Sequence, residues 1–394
     1  MPGWHEKTRE ARERGEVQMA GIIPEQHPDR TRLFMQWKQM DWPILIDPLN
    51  LLGVTAVPIT LLIDEHGIIR YIRPGDDELQ ELLERTYERP AQAPAVAETP
   101  DLENLEKRAR DGSPDALRRY ANALVLWGDD ASLARAIEAY ESVLEAEPGR
   151  GADHFRLGVA YRKRYDSNAR RDGDFAKAVE HWGRALDIDP NQYIWRRRIQ
   201  QYGPRLTKPY PFYDWVHRAR EEIAERGELP LPLPVEPGGA EFAHPMDTFH
   251  PSGGRGREPD PRGRIHRDEE GLIRVETTIV PSVVSSGQSA RIHVSFRPNP
   301  EVKAHWNNEV DELVFWIDPP KAWQVDRRYL TAPLPPEPVS REVRKLELEV
   351  KTPDGFTGSA TIRAYALYYV CEDVDGTCLY RRQDIPVRVT VGAP

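Results

Sequence analysis

The stretch YYVCEDVDGTCL, residues 368–379, contains both cysteines of the 394-residue chain. Aromatic and apolar residues precede Cys371, and an acidic segment with one glycine leads to Cys378. This pattern is typical of a strand, a turn and a second strand. Because no other side chain can form a disulfide or a thiolate, the pair is the candidate redox site of the chain.

Two pairing geometries are open for these cysteines. A turn centred between Val374 and Asp375 would place Cys371 directly opposite Cys378, whereas a two-residue turn at Asp375-Gly376 would leave the cysteines diagonal. An irregular six-residue loop would avoid that conflict and bring the two Cα atoms within bonding distance.

The loop between the cysteines is acidic. Glu372, Asp373 and Asp375 should raise the pKa values of the thiols, so the pair suits receiving an attack from a partner's thiolate better than starting one. A disulfide across so short a loop stabilises a fold less than one that closes a long loop. A redox relay, a static staple and two reduced thiols are all open at this point.

The C-terminal third of the chain alternates apolar and polar residues with a period of two. Six segments are predicted strands: 274–280, 290–296, 312–317, 343–350, 359–370 and 385–391. With the turn residues between them, they predict an all-β immunoglobulin-like sandwich over residues 268–394.

Ala364–Cys371, Cys378 and Ile385–Val389 together resemble the N-terminal periplasmic domain of the thiol:disulfide interchange protein family. The resemblance implies an immunoglobulin-like fold with one redox-active pair on a hairpin, here Cys371 and Cys378. It also implies that the pair passes electrons to thioredoxin-fold partners.

Residues 1–90 are predicted to form an α/β domain. Helix-prone segments and strand-like segments follow each other in the order α-β-α-β-β-α: 5–15, 17–23, 28–40, 54–64, 68–72 and 77–87. The segment Val57–Thr60, then Ile63–Gly67, resembles the second half of a thioredoxin-like redoxin domain. That resemblance implies that Pro58 is cis, an uncommon geometry, and that the backbone of Val57 pairs with an extended substrate peptide.

The same family carries a Cys-x-x-Cys motif at the start of its first helix, directly after a central strand. Met1 and Trp4 stand at those cysteine positions here, and the preceding strand is absent. Without a thiol, this module is expected to be redox-dead. A truncated start and true degeneration are both open.

Residues 101–227 contain a repeat of 34 residues after a Pro/Ala linker. Small residues at Ala136 and Ala178 and aromatics that include Tyr120, Trp127 and Tyr140 resemble tetratricopeptide repeats, in which the aromatics fill the gap between paired helices. The repeat pattern is consistent with two roles for these helices: a concave groove that docks a protein partner, or a rigid spacer.

Residues 228–267 are rich in Pro and Gly and are predicted to be a linker. His244, Asp247 and His250 offer metal-ligand types there, but a Pro-rich loop has no preorganised geometry. We therefore expect no metal and no cofactor.

Composition narrows the classes of function. The net charge of −10, with no concentrated basic domain, argues against a general nucleic-acid binder. No apolar run is long enough to span a membrane, and the N-terminus has no signal-peptide core. The lack of a signal-peptide core suggests a cytoplasmic protein or a truncated start, whereas the resembling families mostly work outside the cytoplasm. The compartment is therefore open.

Two functions from different classes follow from the sequence. The first is a thiol–disulfide exchange protein that relays electrons through Cys371 and Cys378 to a protein partner with a thioredoxin fold. The alternative is a non-enzymatic adaptor with structural cysteines. Peroxidase or classical thioredoxin activity would require a cysteine upstream of Met1.

Overall fold

The computed structural model describes residues 2–55, 57–91, 98–207, 214–233, 246–247, 249–251, 257–372 and 376–392. It is a mixed α/β protein with two compact units. Unit 1 comprises Met1–Ala169, Arg184–Arg198 and Tyr213–Glu236. Unit 2 comprises Arg170–Gly183, Ile199–Phe212 and Pro237–Pro394.

The first part of unit 1 alternates helices and short strands. Its elements are α1 (Pro2–Glu13), β1 (Gly21–Ile23), α2 (Asp29–Lys38), β2 (Ile44–Ile46), β3 (Leu61–Ile63), β4 (Ile69–Ile72) and α3 (Asp76–Glu84). The strand predicted at 54–64 shrinks to β3, because the segment before it contains Pro58, which has no N–H to donate to a sheet.

These four strands form two separate pairs. β1 pairs with β2 in parallel, and β3 pairs with β4 antiparallel. Within the described residues neither pair extends into a larger sheet, and two-stranded sheets are marginal by themselves. Eleven of the twenty-one exposed large hydrophobic residues of the described chain lie in this region, between Ile22 and Ile72.

Six helices follow: α4 (Leu102–Ala109), α5 (Pro114–Trp127), α6 (Ser132–Ala146), α7 (Gly151–Tyr165), α8 (Asp174–Ile188) and α9 (Tyr193–Gln200). Ala136 and Tyr140 are fully buried and Tyr120 is 6% exposed, which fits the expected helix pairing. The expectation for Trp127 is wrong. It is 52% exposed because it is the last residue of α5 and lies at the end of the packed helix.

A later helix joins the first part of unit 1. After the two-residue strand β5 (Leu206–Thr207) comes α10 (Asp214–Glu225), and β6 (Met246–Asp247) follows. Leu33 and Trp37 of α2 form a cluster with Val216, Ala219 and Ile223 of α10. α10 therefore packs against α2 within unit 1.

Unit 2 contains two larger sheets. Their strands are β7 (Ile273–Val280), β8 (Val283–Ser285), β9 (Ser289–Pro298), β10 (His305–Asn307), β11 (Leu313–Asp318), β12 (Gln324–Val325), β13 (Tyr329–Ala332), β14 (Val339–Ser340), β15 (Arg344–Lys351), β16 (Gly358–Cys371) and β17 (Cys378–Gly392). One sheet has the order β13-β11-β16-β10-β14, with β17 on β16 and β8 on β17. The other has the order β12-β15-β9-β7.

The two sheets enclose one hydrophobic core. Phe296 of β9 and Phe315 of β11 come from opposite sheets, and their ring centroids lie 6.3 Å apart. All six predicted strands are present. The sequence pattern missed β8, β10, β12, β13 and β14, because strands of two to four residues are too short to show an alternation.

Residues 257–267 belong to the predicted linker but pack on the outer face of the seven-stranded sheet. The Asp260 N–H donates to the Tyr365 hydroxyl at 3.0 Å, and Arg382 contacts the Asp260 carboxylate at 2.9 Å. Ile265 packs against Trp316 and Tyr365. This part of the segment is therefore a fixed element of unit 2.

Candidate functional site: the cysteine hairpin

Cys371 and Cys378 lie directly opposite each other on β16 and β17. They form a disulfide, with their Cα atoms 3.9 Å apart. The Glu372 N–H donates to the Thr377 carbonyl at 3.3 Å, which continues the pairing into the loop. Direct opposition is thus the geometry found; Asp373, Val374 and Asp375 lie outside the described residues.

The two sulfurs differ in access. Cys371 is 1% exposed because β16 is an inner strand, flanked by β17 and by β10. Cys378 is exposed, since it is the first residue of β17. A nucleophile from outside therefore reaches the sulfur of Cys378 more easily, and Cys371 is the leaving group of such an attack.

A histidine lies beside the buried cysteine. His305 of β10 pairs with Cys371 from the side opposite Cys378. Side chains of directly paired residues point to the same face of a sheet. Cys378, Cys371 and His305 therefore form one row across three adjacent strands, and His305 is 8% exposed.

An aromatic pair lies next to this row on the same face. Tyr369 and Tyr380 are directly paired two positions along the hairpin from the cysteines. Their rings stack with centroids 4.4 Å apart. Burial raises the pKa of Tyr380 to about 12, so its hydroxyl keeps its proton at neutral pH. The pair forms an apolar surface with polar tips beside Cys378.

Two carboxyl groups add negative charge at the end of β16. The hydrogen bond and the charge of Glu372 raise the pKa of Glu270. The acidic surroundings expected from the loop therefore include Glu372 itself and a second group, Glu270. Sequence reasoning missed Glu270 and His305, because both come from segments that are distant from the hairpin in the chain.

A hydrogen bond fixes the core side of the hairpin. Tyr368 points into the core, and its hydroxyl donates to Asp268 at 2.8 Å. Burial is the largest cause of the raised pKa of Tyr368. The strand that carries Cys371 is thus fixed on its core face. The row of Cys378, Cys371 and His305 lies on the opposite face of the sheet.

The second predicted site lies in unit 1. The Val57–Pro58 peptide bond is cis, so this prediction is confirmed. Val57 is 40% exposed and lies in the segment before β3. Trp4, at one of the expected cysteine positions, lies in α1, and Met1 lies outside the described residues.

Arginines on α9 of unit 1 bind the N-terminal region of the chain itself. The Arg198 guanidinium on α9 donates to Gln26 Oε1 at 2.6 Å, to the Pro24 carbonyl at 2.9 Å and to the Pro48 carbonyl at 3.2 Å. Arg197 contacts Glu25 at 2.8 Å. These arginines on α9 therefore contact the chain itself.

The described residues contain neither a candidate metal cluster nor a helix that could cross a membrane. No group of three or more His, Cys, Asp or Glu side chains among those residues could hold a metal ion. His244 of the candidate ligand set lies outside them. Among the described helices, none is both long and apolar enough to cross a membrane.

Part of this chain is similar to several solved structures at low sequence identity. No family model matches the chain, and no curated protein matches it. The GAE domain of GGA2p from Saccharomyces cerevisiae is 11% identical to this chain. The match covers 30% of this chain and 90% of the GAE domain chain, with a TM-score of 0.19. The sporulation control protein Spo0M from Bacillus subtilis is 10% identical, covering 32% of this chain and 51% of its own, with a TM-score of 0.15. The bacterial hydrophobin BslA is 13% identical, covering 32% of this chain and 98% of its own, with a TM-score of 0.17.

Proposed function

We propose that the chain is a thiol–disulfide exchange protein in which Cys371 and Cys378 are the redox pair. The observation that carries the proposal is the unequal access of the two cysteines: Cys371 is 1% exposed, and Cys378 is exposed at the loop end of the hairpin. A disulfide of this kind offers one sulfur to attack and keeps the other as a leaving group.

The exchange runs in two balanced steps. A thiolate of a partner dithiol attacks the Cys378 sulfur; the new S–S bond forms, the Cys371–Cys378 bond breaks, and Cys371 leaves as a thiolate. The second thiolate of the partner then attacks the partner's own sulfur and releases Cys378. The partner dithiol becomes a disulfide, and the hairpin pair gains two electrons and, once both sulfurs are protonated, two protons.

In this proposal the partner is a protein with a thioredoxin fold. The other regions of the chain take the roles that the resemblances imply. An immunoglobulin-like sandwich carries the pair, and tetratricopeptide-like helices support docking. An incomplete thioredoxin-like module binds extended peptide beside Val57 and Pro58. The stacked Tyr369 and Tyr380 supply an apolar contact beside the accessible sulfur.

Single-cysteine variants test the proposed direction of attack. In Cys371→Ser the exposed Cys378 stays, and we expect it to form a mixed disulfide with oxidised glutathione at least about tenfold faster than Cys371 does in Cys378→Ser, because burial restricts access. Mass spectrometry of the glutathione adduct against time measures both rates. Equal rates would contradict the assignment of Cys378 as the attacked sulfur.

Thiol counting with and without a reductant tests the function itself. The relay requires a pair that is reduced by a dithiol and reoxidises. A pair that never reoxidises, or whose reduction potential lies below about −300 mV, is a structural disulfide and rules the relay out.

The exposed apolar strands favour a second candidate, a protein-binding adaptor. Ile22, Leu45, Ile63 and Ile72 are each at least half exposed in the first part of unit 1. Exposed apolar surface rimmed by polar groups is typical of protein contacts. A double variant Cys371→Ser/Cys378→Ser separates the two functions: an adaptor keeps its biological activity in this variant, and a redox relay loses it.

A further inference from the structure

The leaving sulfur of the proposed exchange lies in an unfavourable place for a negative charge. Cys371 is 1% exposed, and burial disfavours a thiolate. Glu372 follows it directly, and Glu270 adds a second carboxyl group beside Glu372. Reduction of the disulfide therefore needs a cation or a proton donor next to Cys371.

His305 is placed to be that group. It pairs with Cys371 from β10, and directly paired residues on one face have Cβ atoms about 5 Å apart. It is itself 8% exposed, so a charge on its ring would be only weakly screened by water. Its neighbour Trp306 points into the core and holds β10 in register, with the indole N–H donating to the Glu342 carbonyl at 2.9 Å.

We propose that His305 is the group that stabilises and protonates Cys371 when the disulfide opens. The inference rests on the proposed exchange. As the partner thiolate bonds to Cys378, the S–S electron pair moves to Cys371, and the imidazolium of His305 first offsets the charge and then transfers its proton to that sulfur. The imidazole regains a proton from water, so the sum of atoms and charges is unchanged.

Other titratable groups lie near this row, and they come from several neighbouring strands and segments. Glu372 follows β16, Glu270 comes from the segment before β7, and Arg381 lies on β17 near Glu270. Tyr369 and Tyr380 stand on the same face of the hairpin. On the core face of β10, where the Trp306 ring lies, the guanidinium of Arg344 lies over that ring and contacts Glu342 at 2.9 Å.

The test compares His305→Gln with a matched control, His266→Gln, which removes an exposed imidazole from the same unit. The rate of disulfide reduction by dithiothreitol is measured by stopped flow from about pH 6 to about pH 8.5. At each pH the wild-type rate is divided by the rate of the variant, so that the titration of the reductant cancels. We expect wild type to be about tenfold faster than His305→Gln at the acidic end, with the ratio falling toward one as pH rises. For His266→Gln we expect a ratio near one throughout.

A second measurement uses the reduced sulfur. In Cys378→Ser, the pH dependence of iodoacetamide alkylation reports the pKa of Cys371, and adding His305→Gln should raise that pKa. If His305→Gln does not fold by circular dichroism, His305→Asn takes its place in both measurements.

The outcomes separate this inference from the proposed function. A pH-independent rate ratio of one, with an unchanged alkylation profile, overturns the role of His305 while leaving the exchange intact. A wild-type disulfide that dithiothreitol does not reduce at any pH overturns the exchange itself and the inference with it.

Discussion

At the residue scale, unit 2 contains a second set of buried charges, away from the cysteines. The Arg291 side chain is 2% exposed and contacts Glu347 at 2.6 Å. His293 Nδ1 lies 3.2 Å from the other oxygen of Glu347, and His293 Nε2 lies 2.7 Å from the Tyr202 carbonyl. These groups tie the four-stranded sheet to the segment that carries Tyr202.

Glu347 should make unit 2 sensitive to acid. Burial by itself would raise its pKa, but the hydrogen bond with His293 and the charge of Arg291 prevail and lower the pKa to about 2. A carboxyl group with a lowered pKa stabilises the fold above its unfolded pKa of 4.5 and loses that contribution as pH falls from there toward about 2.

Glu347→Gln should lower the free energy of unfolding by about 3 kcal/mol at pH 7, because it leaves Arg291 buried without its carboxylate. The difference from wild type should narrow as pH falls through 4.5, as measured by urea unfolding with fluorescence. Glu312→Gln, at an exposed position of the same unit, is the control and should change little. A difference that stays constant down to about pH 3 would contradict the assigned role.

At the element scale, Arg198 makes the most buried of the contacts between α9 and the N-terminal region. Arg198 is 2% exposed and serves three acceptors on two segments, around Pro24 and at Pro48. Because two of these acceptors are backbone carbonyls, loss of the guanidinium would leave them without this donor.

Arg198→Ala should therefore destabilise unit 1 by about 3 kcal/mol and increase hydrogen exchange in β1 and β2, which these segments flank. Arg196→Ala, on the same helix but more exposed, should cost less than about 0.5 kcal/mol. Hydrogen-exchange mass spectrometry distinguishes the two. Equal protection of residues 21–46 in both variants would show that Arg198 does not hold this region.

At the scale of the whole molecule, the disulfide adds little to a fold that other interactions already hold together. β16 and β17 pair over fourteen residue positions, and the core is built from both sheets. Even a 15-residue disulfide loop is worth only about 3 kcal/mol, and the loop between Cys371 and Cys378 is shorter.

Reduction of the disulfide should therefore leave unit 2 folded. The far-ultraviolet circular dichroism should be unchanged, and the free energy of unfolding should fall by less than about 3 kcal/mol in dithiothreitol. Thermal unfolding with and without the reductant measures this, and Cys371→Ser/Cys378→Ser should behave like the reduced protein in both conditions. Loss of the folded baseline on reduction would favour a structural staple over a redox pair.

Local patterns were sufficient for much of the architecture. The period of two located the six long strands, the 34-residue repeat located the helices around Ala136 and Tyr140, and the resemblance to redoxin domains implied the cis bond before Pro58. These features depend on residues close together in the chain. Short strands and the exposure of Trp127 were missed, because packing against distant segments decides them.

The sequence by itself determined that the chain has one possible disulfide, Cys371 with Cys378, and that the pair lies on a β-hairpin. Only the tertiary structure decided that the two sulfurs differ in access and that His305 and Glu270 lie beside them. The physical reason is that hairpin pairing follows from neighbouring residues. The third strand of the row instead depends on a pairing between β10 and β16, which are far apart in the chain and meet only when the core forms.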